Sequence, residues 1–214
     1  MADIEITEMT REQEAAIGGI LGAAFAENPL TGEVAEKGGR YVGVMLGSVV
    51  VMAMSDAGTA VLGARADGVL AGIAVVVPGK WEPSRGRLAA AFWHMLWRMP
   101  LGVFKSSVRW MVRMRRALVA VGKRDDELEL MFLAVRPEMR GRGLGRALVE
   151  RACALAAQRG LKALRLEAVA GTPAVGLYSR LGFRCVSDFT AGGRVVHVMR
   201  RAVAQGGVSR PAPE

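Results

Sequence analysis

Residues 129–147, Glu-Leu-Met-Phe-Leu-Ala-Val-Arg-Pro-Glu-Met-Arg-Gly-Arg-Gly-Leu-Gly-Arg-Ala, decide the fold. They read as an apolar strand that enters a turn crowded with glycine and arginine and passes straight into a helix. Gly141, Gly143 and Gly145 carry no side chain to hold a ligand off the backbone. Successive N–H groups can therefore converge on anionic oxygens at the positive end of the helix dipole. Arg140, Arg142 and Arg146 add positive charge around that point, and the stretch is read as a grip for a pyrophosphate.

Two familiar phosphate loops do not fit. A dinucleotide fingerprint requires glycine three places after Gly143, where Arg146 stands, and a P-loop requires a Gly-Lys-Ser/Thr run, while no lysine follows these glycines. Further along, Leu164, Leu166 and Ala168 alternate with Arg165 and Glu167 in a strand period, and Gly160 before them is a helix stop. Gly171-Thr172-Pro173 then opens a short helix, with Thr172 as N-cap and Pro173 in the first turn. Its apolar face is Ala174, Leu177, Tyr178 and Leu181, and Gly182 ends it.

The run from Arg140 to Gly145, Arg-x-x-Gly-x-Gly after Val135-Arg136-Pro137, resembles the acetyl-CoA motif of the GNAT superfamily of N-acetyltransferases. Gly176 to Phe183, with Tyr178 four residues ahead of Gly182-Phe183, resembles that superfamily's other signature. The resemblance implies an α/β (α+β) fold: a mixed, mostly antiparallel sheet, flanked by helices, whose central parallel strands splay apart. It also implies acetyl-CoA as cosubstrate. The pantetheine arm would pair with the main chain of Leu133, Ala134 and Val135, and the diphosphate would sit on Arg140, Gly141, Arg142, Gly143, Leu144, Gly145 and Arg146.

Acyl transfer needs a neutral amine, donors for the oxyanion and a proton for the departing thiolate. By the resemblance, Tyr178 is the acid and a main-chain N–H near Val135 the oxyanion donor. Glu129 is the candidate base, with Glu167 or a water competing; the other reading of Glu129 makes it, with Glu127, the polar face of an alternating strand. In its alternative role Tyr178 simply closes the core. Many relatives carry asparagine just before the tyrosine helix, where this chain has Gly171-Thr172, which puts the usual contact to the pantetheine arm in question.

With 214 residues, 51% of them hydrophobic, and a mean hydropathy of +0.25, the chain can bury a large core in one domain, placed at 1–203, before a frayed tail from 204 to 214. Expected elements are a first strand at Ile4 and Ile6, helices at Glu12–Ala26 and Val34–Met54, and a hairpin of Thr59–Arg65 with Val69–Val77 across Asp67-Gly68. The last hairpin joins Cys185–Phe189 to Arg194–Met199. Cys153 and Cys185 make no metal or redox spacing, and with only His94 and His197 available no metal site is expected. Acidic Asp3, Glu5 and Glu8 are unlike a secretory leader, and the apolar run Tyr41–Met54 is too short to span a bilayer, so the expected location is the cytoplasm.

A helical insertion is expected over residues 84–121, broken near Pro100. The tryptophans Trp81, Trp93, Trp97 and Trp110 lie in or beside it, and Leu88 to Arg124 holds no aspartate or glutamate against eight lysines and arginines. Three roles suit this segment: an amphipathic helix with a solvated basic face, a lid over the acceptor, or a peripheral contact with an anionic membrane. The function expected is transfer of an acetyl group to a primary amine of a small molecule or peptide, the alternative being a non-catalytic acetyl-CoA-binding regulatory module. Basic charge raises nonspecific nucleic-acid binding, but no nucleic-acid motif is present, and the oligomeric state is open, a homodimer included.

Overall fold

A computed structural model describes residues 3–119 and 121–204. The expected tail, apart from Ala204, lies outside the described residues. In chain order the elements are β1 (Ile4–Glu8), α1 (Glu14–Phe25), α2 (Gly32–Ala35), α3 (Gly39–Ala53), β2 (Ala60–Ala66), β3 (Val69–Pro78), α4 (Arg85–Arg98), α5 (Leu101–Val119), β4 (Glu127–Val135), α6 (Leu144–Gln158), β5 (Ala163–Val169), α7 (Pro173–Arg180), β6 (Arg184–Ala191) and β7 (Arg194–Ala202). The strands form one seven-stranded sheet in the order β1-β2-β3-β4-β5-β7-β6, antiparallel except for β4 and β5. This is the mixed, mostly antiparallel architecture expected.

Both short hairpins follow from turn chemistry. Asp67 and Gly68 (φ 52° and 77°) join β2 to β3, and Gly192 and Gly193 (φ 56° and 73°) join β6 to β7. Two successive left-handed residues give the turn whose twist matches that of the strands. The expected second helix, Val34–Met54, is instead two helices. α2 ends at Ala35, and Gly38, at φ 129°, takes a conformation that no L residue adopts comfortably, so the helix does not run on and α3 starts anew at Gly39.

Helices cover the sheet on both faces. On one, α6 and α7 bury Leu144, Leu148, Leu166 and Phe183 against Leu128 and Leu130 of β4. On the other, α1 and α3 pack Ile17, Leu21, Met45 and Leu46 on Ile73 and Val75 of β3. The two helices of that layer meet through glycine: a Cβ on Gly43 would stand 2.4 Å from the Gly18 carbonyl oxygen. The glycines of these segments, which dilute their helical pattern, are what lets the backbones touch.

The insertion is present as α4 and α5, broken between Arg98 and Leu101 at Pro100. It leaves and rejoins the sheet at one place, where Gly79 N–H donates to the Glu127 carbonyl at 2.9 Å. Arg109 donates to Glu33 at 2.8 Å, and Arg113 pairs with the same carboxylate. These contacts strap α5 to α2, so part of the basic face expected to be solvated is engaged. Among the described residues no helix is long and apolar enough to cross a membrane.

Candidate active site

The site forms where β4 and β5 part. Glu127–Leu130 pair with Ala163–Leu166, and there the parallel pairing stops, although β4 continues to Val135 and β5 to Val169. A bulge prepares the opening. Val75 stands opposite Phe132 and Val76 opposite Leu130, which leaves Met131 as the extra residue. Beyond it, Arg136 N–H donates to the Ala71 carbonyl of β3, so by strand alternation Ala134 also turns its main chain to β3, opposite Ile73. Leu133 and Val135 turn theirs to the gap. The expected three-residue pairing surface is therefore corrected: Ala134 is committed to the sheet, while Leu133 and Val135 face the opening.

At the far end of β4 the glycine turn wraps the N-terminus of α6. Gly141 and Gly143 have φ of 78° and 87°, the left-handed region, and Gly143 is the N-cap of α6 with no capping side chain. The N–H groups of Leu144, Gly145 and Arg146 open the helix and have no partner within it. Gly145 has no left-handed φ, and a Cβ there would make only ordinary contacts with Leu177 and Leu133. Arg140 and Arg146 line the same cleft, whereas Arg142 lies 3.5 Å from Asp67 and does not line it. Of the three arginines expected around a diphosphate, the structure brings two to the cleft. A cradle of N–H groups at the first turn of α6, without a main-chain partner among the described residues, open space at Gly141 and two cations fits a diphosphate.

One continuous cleft of about 1360 Å³ runs from this turn through the gap to α5. Tyr178 lines it and is buried, its ring 5.7 Å from that of Phe183. Burial pushes its hydroxyl well above the ordinary phenol range. Tyr178 is thus a weaker acid than an ordinary phenol and suits donation of a hydrogen bond to a thiolate more than outright proton loss. Thr172 donates to the Val169 carbonyl at 2.7 Å and occupies the N-cap of α7.

The carboxylates are the largest correction. Glu127 and Glu129 are buried, at 1% and 3% exposure, and do not form a solvated strand face. Glu127 pairs with Arg200, and Glu129 lies 3.0 Å from Lys123 Nζ and 3.2 Å from Arg165 Nη1. Arg165, itself 1% exposed, also places Nη2 2.6 Å from Glu167 Oε1. Burial first, then the charge of Glu129, pushes the Glu167 carboxyl up to about 7. Sequence reading missed Arg165 and Lys123. The available signal was a charged residue on each of two adjacent parallel strands, which predicts a cross-strand ion pair.

Away from the cleft, Cys185, Asp188 and His197 meet on the β6–β7 face. Asp188 Oδ1 lies 2.6 Å from His197 Nδ1 and 3.2 Å from Cys185 Sγ. A bulge between Cys185 and Ser187 brings the thiol and the carboxylate to one face, which a plain strand would send to opposite sides. Sequence spacing gave no hint of it.

The sequence pattern of the Acetyltransferase (GNAT) family matches residues 48–183, and the chain belongs to that family. A search of curated proteins gives no match. Among solved structures, the chain is similar to a histone acetyltransferase HPA2 and related acetyltransferase from Corynebacterium glutamicum, with TM-score 0.62 and 19% identity over 97% of this chain and 100% of that one. It is similar also to the PaiA N-acetyltransferase of Thermoplasma acidophilum in complex with coenzyme A, with TM-score 0.58 and 17% identity over 94% and 99%. A third is the ribosomal-protein-S18-alanine N-acetyltransferase of Escherichia coli, with TM-score 0.55 and 16% identity over 97% and 99%. At these identities the likeness speaks for the fold.

Proposed function

We propose that the protein transfers the acetyl group of acetyl-CoA to a primary amine by direct attack. The observation that carries this reading is one cleft joining the N–H cradle of α6, the unpaired edge of β4, Tyr178 and a carboxyl pushed up to about 7. A relative of the same fold has been solved with coenzyme A, which supports the choice of donor. Acetyl-CoA supplies an activated thioester carbonyl.

The chain's residues divide the remaining work. Leu144, Gly145 and Arg146 N–H groups, with Arg140, hold the diphosphate, and Leu133 and Val135 pair with the pantetheine amides. Glu167, directly or through water, takes the proton of the attacking ammonium. Glu129, already matched by two cations, positions Arg165 instead. The carbonyl's electron pair rests on an oxygen that accepts from a β4 N–H at the gap, then reforms the double bond as the carbon–sulfur bond breaks. Tyr178 donates a hydrogen bond to the departing thiolate, and the second proton of the attacking nitrogen, shed as the amide forms, passes through water to that thiolate, so that free thiol and neutral amide leave with one proton held on Glu167.

Thiol release from acetyl-CoA, followed against amines, amino acids, polyamines, peptides and aminoglycosides, tests the reading. Release with at least one amine, and acetylated amine by mass spectrometry, is expected. Coenzyme binding without release from any of them overturns it in favour of a non-catalytic acetyl-CoA-binding module.

A further inference from the structure

The acceptor half of the cleft is walled by the insertion, and its chemistry narrows the amine. Phe25 of α1 and Phe132 of β4 meet edge to face with ring centres 5.8 Å apart. Opposite them α5 contributes Trp110, Met111, Met114 and Leu118. Trp110 is fixed by its Nε1–H, which donates to the Leu30 carbonyl at 2.6 Å, and buried Val103, Ser106 and Ser107 seat the helix, the exposed Arg109 and Arg113 pairs adding little. This wall is therefore formed before any ligand arrives.

Charge points the same way. At the inner end Glu129 and Glu167 face Arg165 and Lys123, so two acids meet two bases and no net charge is left to bind a polycation. The other charged residues lining this half, Lys80, Glu82 and Arg115, are exposed to solvent. We propose, resting on the acetyltransferase reading above, that the acceptor is a primary amine carried on an apolar body, alkyl or aryl-alkyl. Its amine reaches Glu167 while its body lies between Phe132 and Trp110.

Full-length protein tests this with butyl-, hexyl-, octyl- and phenethylamine against spermidine and a lysine peptide. Both turnover and calorimetric binding in the presence of coenzyme A are measured. Each added methylene is expected to raise affinity and kcat/KM up to about fourfold until the wall is filled. Met111→Gln and Leu118→Gln are expected to flatten that dependence while leaving the KM for acetyl-CoA unchanged. Chain-length-dependent binding without turnover supports the apolar chamber and overturns only the catalytic reading. A flat dependence, or spermidine or peptide as the best ligand, overturns the inference.

A separate observation concerns the outer side of α4. Trp93 and Trp97 are 62% and 72% exposed, with rings 5.5 Å apart, and Leu96 and Leu101 are exposed beside them. Ala89, Trp93 and Trp97 of α4, with Leu101 at the start of α5 beyond the Pro100 break, thus form an apolar and open patch. Arg85 and Lys105, at its two ends, make no ion pair among the described residues, and the stretch from Leu88 to Arg124 holds no acidic residue. A second copy docking here would bring the same cations, whereas an anionic lipid surface complements both the tryptophans and the charge. The geometry points to docking of this face on anionic bilayers.

Cosedimentation of the full chain with phosphatidylglycerol-containing and purely phosphatidylcholine vesicles tests it. Preference for the anionic vesicles, reduced at least tenfold by Trp93→Ala with Trp97→Ala and weakened by salt, is expected. No vesicle binding, equal binding to neutral vesicles, or a dimer dissolved by the same pair of substitutions overturns it.

Discussion

Arg165 Nη1 lies 3.2 Å from Glu129 Oε2 across the parallel pair, with both side chains almost wholly buried. The same guanidinium places Nη2 2.6 Å from Glu167 Oε1, so Arg165 bridges the two acids, and burial with the neighbouring Glu129 charge outweighs it to leave Glu167 ionising at higher pH. Glu129 has Lys123 at 3.0 Å as a second cation, and this difference in partners separates the two acids.

The first prediction is a pH profile. Glu167 must be deprotonated to accept a proton, and its carboxyl is pushed up to about 7. kcat/KM should therefore climb about tenfold per pH unit below that value and level off above it, and Glu167→Gln should abolish the climbing limb. Stability carries the opposite sign. Because the folded protein holds this proton more tightly than the unfolded chain, the group's stabilising contribution is full below about 4.5 and is lost as pH rises towards about 7.

Glu129→Gln should act on stability first. Removing that charge takes the carboxylate beside Lys123 and one of the two beside Arg165, which keeps Glu167, a loss on the order of 3 kcal/mol. Denaturant unfolding of the variant measures it. Unchanged stability with lost activity would return Glu129 to the role of base.

Tyr178→Phe should lower kcat by about 10²-fold with the KM for acetyl-CoA nearly unchanged, because the hydroxyl acts on the leaving sulfur and not on the diphosphate. Raising the pH should not mimic this loss, since burial holds the phenol protonated beyond the usual range. Steady-state rates of both proteins across pH check the pair of statements.

The arginines of the glycine turn should separate. Arg146→Ala should weaken coenzyme A binding about tenfold, as expected for one charge-assisted contact. Arg142→Ala, whose side chain lies by Asp67 outside the cleft, should change it by less than about twofold. Gly143→Ala adds about 1–2 kcal/mol of left-handed strain and should weaken coenzyme A binding as well. Calorimetry on the three variants is decisive.

What was legible in the sequence was what local chemistry determines. The turn after β4, both hairpins, the crossover through α6 and the break at Pro100 each depend on a few adjacent glycines or a proline. Less legible were features set by one residue of register. The Met131 bulge decides which main-chain groups of β4 face the gap, and the bulge beside Ser187 decides that Cys185 joins Asp188 and His197. Neither leaves a trace in residue periodicity. Burial of Glu127, Glu129 and Arg165 escaped for a related reason: alternation marks one face of a strand as polar, but neighbouring strands and Lys123, beyond the insertion, supply the partners that make burying it tolerable.

The Gly79–Glu127 hydrogen bond has an evolutionary corollary. Because the excursion through α4 and α5 starts and finishes on one rung of the ladder, its outward-facing sequence can be traded while the pairing of β3 with β4 is kept, but Met95, Met99 and Val103 must still fill the core beneath it. Acceptor choice and any membrane address would then diverge together between lineages, while the thioester chemistry is inherited intact.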